Sequence, residues 1–119
     1  MKVLFDHNVN RHFKQHLTNH DVKTTREMGW DRLANGELLR ASAGAGFEAF
    51  LSIDKNIQHQ QNLDDLPIPI IVLDSISNAL PALVPFAPHV QRLLSTELAK
   101  ALYLIAPDGT VFRYPLPLK

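Results

Sequence analysis

The order of apolar and polar segments predicts an α/β fold with three layers, in which helices cover both faces of a mainly parallel sheet. Three observations support it. Three short apolar runs are each followed by an acid, namely Asp6, Asp54 and Asp74. Helical segments separate these runs, and two further apolar runs flank a Pro-Asp-Gly turn near the end. Strands separated by helical segments form right-handed βαβ units, so we expect a parallel sheet followed by a β-hairpin.

The first third of the chain predicts two strands joined by a helix. Residues 2–5 are apolar and stop at the polar residues 6–8, as a buried strand does where it meets a loop. Apolar residues then recur at four-residue steps and predict a helix over 10–17, and 22–25 is a weaker strand. The recurring residues are Val9, Phe13 and Leu17.

The middle of the chain predicts a second strand between two helical segments. Asn35 is expected to cap a helix that ends at the glycines of residues 44–46. Residues 47–53 then form an apolar strand, and 56–63 is a polar connection with a turn or two of helix.

The last part of the chain begins with a third apolar strand over 68–73. Three prolines break up residues 75–89, after which Val90, Leu93, Leu94 and Leu98 form a helical stripe. Residues 102–106 and 110–114 are predicted to pair as a hairpin, either at an edge of the sheet or against another subunit.

Composition restricts the class of protein. A chain of 119 residues with 45% hydrophobic and 20% charged residues is typical of one globular domain. It contains no cysteine, which excludes disulfides, thiolate zinc sites, iron–sulfur clusters and cysteine catalysis. The net charge is zero, so any nucleic-acid site must be a local patch. No run is long enough to span a membrane and no signal-peptide pattern is present, so we expect a cytoplasmic protein without membrane contact.

The acids that follow the strands are the strongest chemical signal. Asp6, Asp54 and Asp74 should lie at the carboxyl edge of the sheet, where ligands of parallel sheets bind, and Glu37 should lie in the first turn of a helix beginning there. Clustered carboxylates favour Mg²⁺ or Mn²⁺, and such ions promote phosphodiester hydrolysis. The alternative is that each acid only forms a turn or caps a helix.

Four segments carry a resemblance to a known family. They are VLFDHNV at 3–9, TREMGW at 25–30, NGELL at 35–39 and LSIDKNI at 51–57. In this order they resemble the PIN-like family DUF5615, which is related to PIN-domain nucleases and to the toxins of bacterial toxin–antitoxin modules. The resemblance covers residues 1–74 well and the remainder more loosely.

This resemblance implies a PIN-like α/β/α fold with an acidic metal pocket and Mg²⁺- or Mn²⁺-dependent cleavage of RNA. Asp6 matches the first acid of the family pattern, Asp54 the acid at a strand end, and Glu37 the acid at the start of the middle helix. These residues are therefore the predicted catalytic set and metal ligands. Asp74 or Asn56 would complete the ligand set directly or through water.

Five residues are predicted to assist. Asn8 and Asn56 are amides where similar sequences often have acids, so the pocket should bind a divalent ion more weakly. Arg26 and Lys55 could contact phosphate oxygens, and Glu27 could face the metal or a basic group; exposed ion pairs or solvated side chains are the alternative.

The predicted partners are RNA, an antitoxin protein and a second copy of the chain. Against the nuclease we set a non-catalytic PIN-like module whose hairpin and proline-rich segment bind protein. A zinc site is a further alternative, because His12 and His16 would share a face of an α-helix, although no third ligand is placed by the sequence.

Overall fold

The strands of the protein form one sheet in the computed structural model, which describes residues 1–115. In this part of the chain the sheet has six strands of four residues each. They are β1 (Lys2–Phe5), β2 (Asp21–Thr24), β3 (Ala49–Ser52), β4 (Ile70–Leu73), β5 (Leu102–Ile105) and β6 (Val111–Tyr114).

The strand order is β2-β1-β3-β4-β5-β6, and β1 to β5 are parallel. β6 pairs antiparallel with β5. The predicted α/β class with a mainly parallel sheet and a final hairpin is confirmed, and the hairpin extends the sheet at an edge.

Helical segments connect the strands. The α-helices are α1 (Asn35–Gly44), α2 (Ile57–Gln60), α3 (Leu80–Leu83) and α4 (Ala87–Leu94), and 3₁₀ helices occupy Arg11–His16, Leu63–Asp65 and Val84–Phe86. None of the helices within residues 1–115 is long and apolar enough to cross a membrane.

Strict alternation along the strands creates two cores, one on each face of the sheet. In β1, Val3 and Phe5 pack with the 3₁₀ helix Arg11–His16, α3 and α4, whereas Leu4 packs with α1 and α2. Because side chains of a strand alternate between faces, both faces of each central strand are apolar and the sheet is covered on both sides. This produces the three layers that the sequence predicts.

Three local predictions differ from the structure, and the first concerns the segment after β1. The helix over 10–17 is a 3₁₀ helix, Arg11–His16, and the side chain of Asn10 caps it by accepting a hydrogen bond from the backbone N–H of His12. In a 3₁₀ helix residues four apart are about 120° apart around the axis, so His12 and His16 lose the shared face that the zinc alternative needs.

The predicted cap at Asn35 is wrong. Ala34 occupies the cap position of α1, and the side-chain amide of Asn35 donates to Gln60 Oε1 at 3.1 Å instead. The contact joins α1 to α2, and since Gln60 is distant in sequence, no local pattern indicated it.

The proline-rich segment is more helical than predicted. Pro81, Pro85 and Pro88 each lie in the first turn of a short helix. The ring of proline suits this position because the first N–H groups of a helix have no partner within it. The prolines therefore divide the segment into consecutive helices rather than leaving it irregular.

Candidate functional site

The carboxyl ends of β1 and β3 meet at the point where the chain connections diverge. The connection from β1 to β2 packs on one face of the sheet and the connection through α1 to β3 packs on the other. In an open α/β sheet with this strand order, the crevice between these two strand ends is the usual ligand site. The residues that follow β1 and β3 are thus the candidates for function.

Asp6 follows β1 and is the only charged residue that is buried among residues 1–115, with 5% of its surface exposed. Its Oδ1 accepts a hydrogen bond from the backbone N–H of His7 at 2.8 Å, and its Oδ2 accepts one from the hydroxyl of Ser52 at 2.7 Å. Within the described residues it forms no ion pair. A buried carboxylate without a positive partner is costly, which makes Asp6 the most unusual residue of the fold.

Ser52 links both strand ends. The register pairs Phe5 with Leu51, so Asp6 and Ser52 stand opposite each other one residue further along. Ser52 is fully buried; its hydroxyl donates to Asp6 and accepts from the backbone N–H of Asp54 at 3.0 Å. Asn8 reaches the same place, since its Oδ1 accepts from the backbone N–H of Ile53 at 3.3 Å. Sequence patterns did not identify Ser52, because its role depends on strand register.

Asp54 is near this cluster but its carboxylate is used locally. Its Oδ1 accepts a hydrogen bond from the backbone N–H of Asn56 at 3.0 Å, directly before α2. The side chain of Asn56 is exposed and forms no capping hydrogen bond at the start of α2. The second oxygen of Asp54 has no hydrogen-bond partner among residues 1–115, so Asp54 forms a turn as the alternative interpretation expects and keeps one oxygen for a ligand.

Asp74 and Glu37 are not joined to Asp6 and Asp54. Asp74 follows β4, and its Oδ1 lies 2.8 Å from the ammonium group of Lys55 in a partly exposed ion pair. Glu37 is exposed in the first turn of α1 and forms no hydrogen bond or ion pair with the part of the chain that the structure describes. Of the four predicted metal ligands, Asp6 contacts Ser52 through its carboxylate and Asp54 only through its backbone N–H.

A cleft of about 220 Å³ opens beside Asp6, between the ends of β1 and β2. Arg11 and Arg26 line it, and both are exposed and without an ion pair to any described residue. His7 also lines it; its Nδ1 is 2.8 Å from the hydroxyl of buried Thr25, which leaves Nε2 for other contacts. We call this the Asp6 cleft: Asp6, His7, Val9, Arg11, Thr24, Thr25 and Arg26.

Glu27 forms an exposed ion pair with Lys14, as the alternative interpretation of this residue expects. Its Oε1 accepts from the backbone N–H of Thr24 at 3.0 Å and contacts the ammonium of Lys14 at 3.2 Å, while its own N–H donates to Thr24 Oγ1. These reciprocal bonds resemble a capping box and fix the turn that carries Arg26. The Thr24 N–H, together with Lys14, lowers the pKa of Glu27 below 4.5.

A divalent ion at this site would need an amide oxygen as a ligand in addition to carboxylate oxygens. No three His, Asp or Glu side chains within residues 1–115 are close enough to hold a metal ion together. Asp6 is nevertheless buried without a cationic partner among residues 1–115, and carboxylate and amide oxygens suit Mg²⁺ or Mn²⁺. Asp6 and Asn8 carry such oxygens around Ser52, and Asp54, which follows the same strand, carries another.

No family model matches this chain, and comparison with curated proteins and with solved structures finds no significant match. The resemblance to the PIN-like family stays a prediction drawn from the four sequence segments.

Proposed function

We propose that this chain is a PIN-like phosphodiesterase that cleaves RNA with the help of Mg²⁺ or Mn²⁺. The observation that supports this most directly is the burial of Asp6, without a cationic partner among residues 1–115, at the sheet edge where α/β proteins bind ligands. Perturbed or unpaired buried acids in a cleft are typical of functional sites.

The residues around Asp6 suit an anionic ester. Arg11 and Arg26 are free to contact the non-bridging oxygens of a phosphate in the cleft, because neither has an acidic partner in the described chain. Asp6, Asp54 and Asn8 would hold the ion, which when bound polarises the phosphate and lowers the pKa of a water molecule. Ser52 fixes the carboxylate of Asp6 in one orientation.

His7 is the group available for proton transfer. Thr25 holds Nδ1 of the ring, so Nε2 is the atom that would give a proton to the leaving oxygen or accept one from water. Its position in the Asp6 cleft, next to both arginines, supports this role.

The test compares the wild type with Asp6→Asn, which keeps the shape of the side chain and removes its charge. Cleavage of a single-stranded RNA with Mn²⁺ should fall at least about 100-fold, in line with the loss of one electrostatic group of an active site. The control is Asp64→Asn, since Asp64 is exposed on the 3₁₀ helix Leu63–Asp65 and away from the cleft. Cleavage that survives Asp6→Asn rejects the proposal.

The second candidate, a non-catalytic interaction module, is favoured by one observation. Val111 and Phe112 of the edge strand β6 are 41% and 46% exposed. A metal titration separates the candidates, because ion bound only by the folded state raises the unfolding free energy by about 2.7 kcal/mol at 100 times Kd. No stabilisation by Mn²⁺, together with no cleavage, would favour the module.

A further inference from the structure

A second cleft, of about 470 Å³, continues from the Asp6 cleft over the 3₁₀ helix Arg11–His16. The two share three lining residues, Arg11, Thr24 and Arg26. We call the combined surface the basic groove. It is lined beyond the Asp6 cleft by His12, Lys14, Gln15 and Glu27.

The charge in this groove is unlike that of the whole chain. The protein has 12 basic and 12 acidic residues, yet the groove brings together Arg11, Lys14 and Arg26 with His12. Its acids are Asp6, buried at one end, and Glu27, which pairs with Lys14 at the other. Both arginines remain without an ion pair to residues 1–115, so the surface between the two acids is positive.

We propose that the basic groove binds the phosphate backbone of a single RNA strand and leads it to Asp6, so that the protein acts on polynucleotides rather than on single nucleotides. This proposal rests on the proposed function and adds the path of the substrate. A strand with regularly spaced negative charges matches a groove whose cations extend away from the reaction centre. One nucleotide would fill the Asp6 cleft and leave Lys14 and His12 unused.

The fold explains why the groove exists. Arg11 follows β1 and Arg26 follows β2, and these neighbouring strands bring both side chains to the carboxyl edge. The bonds between Thr24 and Glu27 hold the turn that carries Arg26. Lys14 stands on the same 3₁₀ helix as Arg11, one 3₁₀ turn further on, which continues the positive surface away from the sheet.

The test measures RNA binding without cleavage. Fluorescence anisotropy of a labelled 12-nucleotide single-stranded RNA is recorded in EDTA at several salt concentrations. In the wild type Lys14 is paired with Glu27, so the two unpaired arginines contacting phosphates predict a slope of log K against log salt of about −1.4, and the double variant Arg11→Ala/Arg26→Ala should remove most of it. The matched control Arg40→Ala/Arg92→Ala removes the same charge from exposed sites outside the groove and should leave the slope unchanged.

A second variant is expected to gain affinity, which misfolding would not produce. Glu27→Gln keeps an oxygen acceptor for the Thr24 N–H but frees Lys14, so binding should tighten and the slope should steepen by up to about 0.7. An unchanged slope in Arg11→Ala/Arg26→Ala, or an equal loss in the control, overturns the groove. So does unaltered affinity in Glu27→Gln.

The two proposals fail separately. RNA cleavage that needs Asp6 while RNA binding ignores Arg11 and Arg26 would remove the groove and keep the phosphodiesterase. Binding through both arginines without cleavage in any divalent metal would remove the phosphodiesterase and keep the groove.

Discussion

Replacing Ser52 with alanine tests whether the buried contact with Asp6 stabilises the fold. Ser52 is fully buried and its hydroxyl donates to a carboxylate at 2.7 Å. A hydrogen bond to a charged group contributes about 1.5–3 kcal/mol, and its loss leaves one oxygen of Asp6 without a protein partner. The backbone N–H of Asp54 loses its acceptor as well. We expect Ser52→Ala to lower the free energy of unfolding by about 2–3 kcal/mol.

This loss is large enough to measure by urea unfolding followed by circular dichroism. The entropy of unfolding is about 2.1 cal/mol/K per residue. For 119 residues it is about 0.25 kcal/mol/K, so a loss of 2.5 kcal/mol lowers Tm by about 10 °C. Both quantities should change together if unfolding is two-state.

Ser42→Ala is the matched control. Ser42 is equally buried, but its hydroxyl donates at 2.6 Å to the carbonyl of Leu38 within α1. The change leaves no charge unsatisfied and improves helix propensity, so its effect should stay below about 0.5 kcal/mol. Ser52→Ala within 0.5 kcal/mol of wild type, or equal losses in the two variants, would refute the reasoning.

Two further predictions concern a turn and a pH dependence. Gly109→Ala should destabilise the protein by about 1–3 kcal/mol, because φ at Gly109 is +92° and a Cβ atom would lie 2.6 Å from the ring of His89. The control Gly44→Ala should be neutral or stabilising, because Gly44 has open space around it and no positive φ. Equal Tm values for the two variants would contradict this prediction. The hydrogen bond from the N–H of Thr24 lowers the pKa of Glu27 below 4.5 in the folded protein. The ionised side chain of Glu27 should therefore stabilise the fold fully above pH 4.5, and this stabilisation should disappear as the pH falls through the lowered pKa of the folded state. The stability difference between wild type and Glu27→Gln, measured from pH 7 to pH 2, should therefore shrink only below pH 4.5; a constant difference would count against it.

Local patterns predicted the strands well, because a strand buried on both faces is a short apolar run in any context. Residues 2–5 are β1 as expected, and the predicted runs 47–53 and 68–73 contain β3 and β4 with shorter bounds. The helical predictions were less accurate. The segment 10–17 became a 3₁₀ helix and Asn35 bonded to α2, since tertiary contacts decide between geometries that propensity leaves nearly equal.

The amino-acid sequence by itself determined that acids follow β1, β3 and β4 and therefore lie along one edge of the sheet, because apolar runs and the polar residues that end them are local features. Only the tertiary structure decided which of them meet. The register that sets Phe5 beside Leu51 brings Asp6 to Ser52, while Asp74 pairs with Lys55 and Glu37 stays at the surface of α1. Register and packing depend on all strands at once, and no segment read alone contains that information.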